Sequence, residues 1–218
     1  MSHDVRNSTR ALSEIPHWIC EDLAESQIAI PAEIAENLEL LRRHSKRLDR
    51  MLADLLAYSR VGRMSSPSKV QLADIIDVAL QAIELPQRFN LDVQPIQGAV
   101  EMPEDEAELL VKSLVDNAVK HGTSSGGQLV ISSTRQGDEV RLQFEDNGPG
   151  ISEKFMERAF LPMKTGKRRD DIEGSGMGLA IVQKIVSSAG GSILAGRSEA
   201  LGGFRVVLCF PQYKPRPA

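Results

Sequence analysis

A chain of 218 residues with 41% apolar and 26% charged side chains has the composition of a globular protein, long enough for one large domain or two small ones with separate cores. A net charge of −4 gives no reason to expect a nucleic-acid partner, and no apolar run approaches the roughly 20 residues needed to cross a bilayer, so direct membrane insertion is not expected. Residues 1–10 are polar and do not read as a signal peptide, which makes the cytoplasm the expected compartment, while Cys20 and Cys209 form neither a metal nor a redox motif and read as packing residues.

From the N-terminus, Val5, Leu12, Ile15, Ile19 and Leu23, with Trp18 beside them, predict a helix over residues 2–26. Its opposite face carries His3, Asn7, Arg10, Glu14, His17 and Glu21. The periodicity continues past Pro16, which predicts a kink there rather than an end. After a connection at Gln27–Pro31, a longer helix over 32–60 places Ile34, Leu38, Leu41, Leu48, Leu52 and Leu55 in alternating steps of four and three, with Ser45 and Ser59 on the same seam. That is a coiled-coil stripe. Two helices joined by a short loop cannot bury such a stripe alone, so two copies are expected to pair as a four-helix bundle in a homodimer. The alternative packs the hairpin onto the rest of its own chain.

Gly62, Ser65, Ser66, Pro67 and Ser68 mark a linker. The expected organisation is therefore a helical hairpin at 1–61, a linker at 62–69, an α/β domain at 70–212 and a tail at 213–218. Within the domain the pattern predicts strands near 70–72, 91–95, 99–102, 128–134, 139–145, 192–196 and 204–210, and helices near 74–85, 104–121 and 175–189. Residues 152–173 show no long apolar period, and Lys164, Gly166, Lys167, Arg168, Arg169 and Asp170 suggest a mobile basic loop.

Three short stretches carry the chemistry. Asp146-Asn147-Gly148-Pro149-Gly150-Ile151 follows the alternating Val140, Leu142 and Phe144, which puts a carboxylate at a strand end beside bare backbone. The carboxylate can accept from an exocyclic amine such as that of adenine, while Gly148 and Gly150 allow positive φ and close approach, although Asp-Asn-Gly alone is also an ordinary turn. Upstream, Asn117, Lys120 and His121 end an amphipathic helix. Downstream, Gly174, Gly176 and Gly178 alternate just before Leu179, Ile181, Val182, Ile185 and Val186, leaving free N–H groups at a helix start that favours phosphate.

In this order the three stretches resemble the ATP-binding domain of sensor histidine kinases, which shares its fold with gyrase, mismatch-repair and chaperone ATPases, and the resemblance covers about residues 68–212. It implies an α+β protein: an N-terminal helical hairpin, a four-helix bundle in the dimer, followed by a two-layer α/β sandwich that binds ATP. It further implies that the Asn117 amide oxygen coordinates the magnesium ion bridging the ATP phosphates. Ser113 stands where the family commonly has a second asparagine. Lys120 and His121 can reach phosphates or simply complement the helix dipole, and both readings stand. Phe155 and Phe160 resemble the family's phenylalanine box, which anchors a lid, though core packing explains them equally. Lys164, Lys167, Arg168 and Arg169 can close over the γ-phosphate or form a solvated charge run.

Ser2-His3-Asp4-Val5-Arg6-Asn7, with Asp54-Leu55-Leu56-Ala57-Tyr58-Ser59-Arg60 on the second helix, looks like the phosphoacceptor domain of the same kinases. There the histidine takes phosphate and the neighbouring acid orients its ring. The physics agrees, because a carboxylate bonded to one imidazole nitrogen fixes the tautomer and leaves the other lone pair free to attack. His17 and His44 are rivals that lack a following acid. The expected function is an ATP-dependent histidine autokinase core that phosphorylates His3 and passes the group to an aspartate on a response-regulator receiver domain. Asn7, one helical turn on, is expected to orient a hydrolytic water and add regulator phosphatase activity. The alternatives are a histidine phosphotransferase with a vestigial ATP domain, and an ATPase or serine kinase of the same fold. In the family a sensor precedes the phosphoacceptor helix; only Met1 and Ser2 precede His3 here, which leaves a fragment or a sensor protein acting in trans.

Overall fold

The computed structural model describes residues 2–122, 126–165 and 174–214, the side chains of residues 2–10 and of Ser13 excepted. Two long helices open the chain, α1 (Ser2–Glu25) and α2 (Ala32–Arg60), and they pack against each other. The helix continues past Pro16, so the proline does not end it. Only the carbonyl four residues back loses its partner there, and the apolar face outweighs that loss. At the end of α1, Gln27 takes a positive φ of 54° and Ile28 N–H donates to the Leu23 carbonyl (2.9 Å), which closes the last turn and reverses the chain.

The stripe on α2 proves to be two rows rather than one seam. Leu38, Ser45 and Leu52 are covered, while Ile34, Leu41, Leu48 and Leu55, spaced every seven residues, face solvent. On α1 the covered positions are Pro16, Cys20 and Leu23, whereas Leu12, Ile15, Trp18 and Ile19 are exposed. A single neighbouring helix covers about one row of a heptad pair, so the other row is left over.

The remainder is a two-layer α+β domain. β1 (Ser68–Gln71) pairs antiparallel with β3 (Ala99–Met102) as a small separate sheet. The main sheet runs in the order β2 (Asn90–Val93), β4 (Gln128–Gln136), β5 (Glu139–Asp146), β7 (Phe204–Pro211), β6 (Ser192–Arg197), with β2 parallel to β4 and every other pair antiparallel. The helices α3 (Leu72–Gln81), α4 (Glu104–His121) and α6 (Gly178–Ser188) pack on one another and on the sheet. Strand β5 alternates strictly between half-buried and buried, so Val140, Leu142 and Phe144 enter the core with Leu110, Val111, Leu114 and Val115 of α4 and Ile181, Val182 and Ile185 of α6.

Several boundaries differ from the sequence reading for local reasons. Leu72 begins α3 rather than ending β1. A short helix, α5 (Glu153–Ala159), lies within the stretch read as a loop, because two turns are too few to show an apolar period. Helix α6 starts at Gly178, not Ser175, since Gly176 holds φ at 71° and a right-handed helix cannot pass through that angle.

The segment 62–69 is tied down. Val61 is buried in the core of the α+β domain, Gly62 N–H donates to the buried Glu106 carboxylate (2.6 Å), and Ser65 Oγ donates to Asp105 (2.9 Å).

Candidate nucleotide site

Period-two alternation along β5 sends residue 146 to the same side as Val140, Leu142 and Phe144, so the Asp146 carboxylate is carried into the helix layer, where it is only 5% exposed. Gly148 N–H (2.8 Å) and Phe204 N–H (3.0 Å) both donate to its Oδ1, which holds the group in one orientation and leaves Oδ2 as the acceptor for a ligand amine. Burial pushes the Asp146 carboxyl above the ordinary aspartate range, opposed by those two N–H groups and by nearby His121. Asn147 turns the other way: its Oδ1 accepts from Gln128 N–H (2.7 Å) and its Nδ2 donates to the Gly126 carbonyl (3.1 Å), bracing the turn after β5.

A cleft of about 640 Å³ opens beside Asp146. One wall is α4, where Ser113, Asn117, Lys120 and His121 recur at three- and four-residue steps next to the buried face. Lys120 pairs with Asp116 one turn earlier (3.5 Å) while still lining the cleft. The loop Gly174, Ser175, Gly176 leading into Gly178 at the start of α6 also lines it, as do Lys164 and Thr165. Ser175 Oγ accepts from Met177 N–H (3.1 Å), which satisfies one donor at the helix start and leaves others for an anion. Phe155 and Ile151 close the remaining side.

The glycines divide by role. A Cβ on Gly176 would lie 2.8 Å from the Lys164 carbonyl oxygen and 3.0 Å from its nitrogen, so the bare backbone is what lets residues 163–164 cross the loop and bring Lys164 to the cleft. Met163 takes a left-handed φ of 60° at that crossing. Gly150 and Gly174 line the cleft, and Gly150 needs its φ of 73°. Gly148 does not line it; its Cα packs under the His121 carbonyl, where a Cβ would come within 2.7 Å, so it supports the wall from behind.

The fold therefore brings together Asn117, Lys120, His121, Asp146, Gly150, Lys164, Gly174, Gly176 and Gly178, with Gly148 just outside. Phe160 packs on the core instead. His3, Asp4 and Asn7 fall in the first two turns of α1, and their side chains lie outside the described residues, as do Gly166, Lys167, Arg168, Arg169 and Asp170 of the basic loop. Two contributions to the cleft escaped the sequence reading, that of Gly203 and that of Asp54, which was read only as part of the α2 stretch. Gly203 abuts Asp146 so closely that a Cβ would overlap both the Asp146 carbonyl oxygen and Oδ1. Asp54, from α2, lines the cleft and accepts a short hydrogen bond from the Ser175 hydroxyl. Gly203 sits 57 positions from Asp146 and Asp54 sits 121 from Ser175, and no local pattern spans such separations.

Among the described residues no cluster of three or more histidine, cysteine or acidic side chains could cage a metal ion. A single amide oxygen from Asn117 beside an anion-binding loop suits magnesium, which is held by one or two protein oxygens together with phosphate and water.

A two-layer α+β domain whose cleft is lined by both a buried carboxylate and a glycine-rich helix start has the makings of a nucleotide-binding domain. Residues 102–214, just over half of the chain, match the family of histidine kinase-, DNA gyrase B-, and HSP90-like ATPases, and the chain belongs to that family. It is similar to the alginate biosynthesis sensor protein KinB of Pseudomonas aeruginosa, 28% identical over 96% of this chain and 36% of that one. It is also similar to the sensor histidine kinase CpxA of Escherichia coli (26% identical, 94% of this chain and 47% of that one) and to the sensor protein PfeS of P. aeruginosa (30%, 86% and 44%). The chain thus spans less than half the length of these relatives. Among solved structures, full-length ShkA in complex with AMPPNP shares the fold over 99% of this chain and 45% of its own (TM-score 0.67, 18% identity). The ATP-binding domain of PrrB from Mycobacterium tuberculosis is covered completely by 69% of this chain (TM-score 0.54, 26% identity).

Proposed function

We propose that this chain is the core of an ATP-dependent protein histidine kinase that phosphorylates His3 and passes the phosphoryl group to a response-regulator aspartate. The observation that carries this reading is the single cleft uniting Asp146, Asn117 and the Gly174–Gly178 loop. In it Asp146 Oδ2 accepts from the adenine amine, the Gly174–Gly178 backbone N–H groups take the phosphates, and Lys164 offsets their charge. Asn117 is the residue to hold magnesium, which when bound neutralises phosphate charge. A phosphotransferase with no use for nucleotide would have no need of this cleft.

Support for His3 comes from the helix pair. His3 and Asp54 lie the same number of residues from the turn, counted from Glu25 and Ala32, so in an antiparallel pair they stand level, about 33 Å of helix from it. Asp54 lines the cleft, and a phosphoacceptor level with it on the neighbouring helix is in keeping with this reading. The His3 imidazole attacks the γ-phosphorus, the bond to the β,γ-bridging oxygen breaks, and ADP leaves, while Asp4 holds the proton on the other ring nitrogen. The N–P bond then breaks as a regulator carboxylate takes the phosphoryl group. Asn7, a turn beyond His3, orients water for the reverse duty of hydrolysing that product. Incubation with γ-labelled ATP should give label that is lost in acid and survives alkali. His3→Gln should abolish it and leave nucleotide affinity intact; acid-labile label persisting in that variant would move the assignment to His17 or His44.

A further inference from the structure

The last turns of α2 are docked on the nucleotide domain by contacts of two kinds. Lys184 of α6 donates to the Tyr58 carbonyl (2.5 Å) and lies over the Tyr58 ring (4.4 Å to its centroid), and Val61 and Gly62 are held as described, all away from the cleft. Asp54 differs. It is the α2 residue that lines the cleft, and its Oδ2 accepts from the hydroxyl of Ser175, which sits between Gly174 and Gly176 in the anion-binding loop. Ser175 in turn accepts from Met177 N–H at the first turn of α6. A carboxylate from one structural unit is thus hydrogen-bonded to the loop through which the other is proposed to bind phosphate.

Resting on the ATP-binding reading above, we infer that Asp54 is the residue through which the helical pair senses the cleft: its carboxylate and the nucleotide phosphates compete for the Gly174–Gly178 loop. Two anionic groups at one helix start repel, and a half-buried site screens them less than open water does. Binding of triphosphate therefore weakens the Asp54–Ser175 joint and loosens α2 from the loop, while the docked joint weakens binding by the same factor, since coupling is reciprocal. Lys184, Tyr58, Val61 and Gly62 keep the two units attached while that joint opens, so the helical pair can shift against the cleft without being released.

Asp54→Asn in the full chain keeps an oxygen acceptor for Ser175 and removes the charge. With magnesium present and at low salt, the variant is expected to bind ATP about fivefold or more tightly than the parent, to gain less for ADP and to bind adenosine unchanged, since the repulsion scales with phosphate charge. The ATP gain should shrink at high salt. In the parent, a non-hydrolysable ATP analogue should speed amide hydrogen exchange in the last turns of α2, and this response should be lost in Asp54→Asn. Equal ATP affinity in the two proteins, weaker binding by the variant, or a gain that is the same for adenosine overturns the inference while leaving the ATP site standing. A parent that binds no adenine nucleotide overturns the functional reading and this inference with it.

Discussion

At Asp146 the cost of the site can be seen in one side chain. Burial raises its carboxyl above the ordinary range, so the folded chain holds that proton to higher pH than the unfolded chain does. The contribution to folding is fully present below the unfolded value and is lost as pH rises through the folded one, leaving the ionised form a cost at neutral pH. Asp146→Asn can still accept from Gly148 and Phe204, so thermal stability at pH 7 should hold or rise. Nucleotide affinity should fall by about tenfold or more, because one acceptor facing the ligand amine becomes a donor, worth about 1–3 kcal/mol. In the parent, affinity should begin to weaken on acidification at a pH above the normal aspartate range. Calorimetric titration from neutral to acid checks both, and unchanged affinity in the variant would remove Asp146 from the adenine site. Gly203 offers an independent test. Its Cβ would overlap Asp146, so Gly203→Ala should cost about 1–3 kcal/mol of stability through overpacking and also reduce nucleotide affinity. A melt and a titration matching the parent would show that the carboxylate is not held as tightly as its contacts imply.

Among the elements, α2 shows how far a periodic pattern can be read. The heptad stripe was legible, and so was the need to cover it, but which of its rows α1 would cover was not. Covering one row leaves Ile34, Leu41, Leu48 and Leu55, with Leu12, Ile15 and Trp18 on α1, as an apolar face with Trp18 49% exposed. A face of this kind is the expected seam of a four-helix bundle between two copies. The full chain should therefore sediment as a dimer at micromolar concentration and Leu48→Glu as a monomer of unchanged helix content. A monomeric parent would sink the bundle.

For the whole molecule, the docking of α2 on the nucleotide domain changes what counts as that domain. Val61 belongs to its core, with Ala57 and Tyr58 packed alongside, although all three precede the glycine- and serine-rich boundary. Fully burying a valine stabilises by about 1.5–3 kcal/mol, so a fragment of residues 57–214 should melt several degrees above one of residues 68–214. Equal melting temperatures would mean that the dock adds nothing to the fold.

What the amino-acid order determined by itself is whatever repeats within a few residues. Alternation along β5 aims Asp146 inward, three- and four-residue steps on α4 line up Asn117 with His121, and alternate glycines open the start of α6. Each is set by the geometry of one strand or helix. The tertiary structure alone decided that Gly203 must be bare because it lies against Asp146, that Gly148 backs the wall instead of lining it, and that Asp54 reaches Ser175. Those are contacts between segments far apart in the chain, settled by how the layers close on one another, and closure leaves no periodic trace in the sequence.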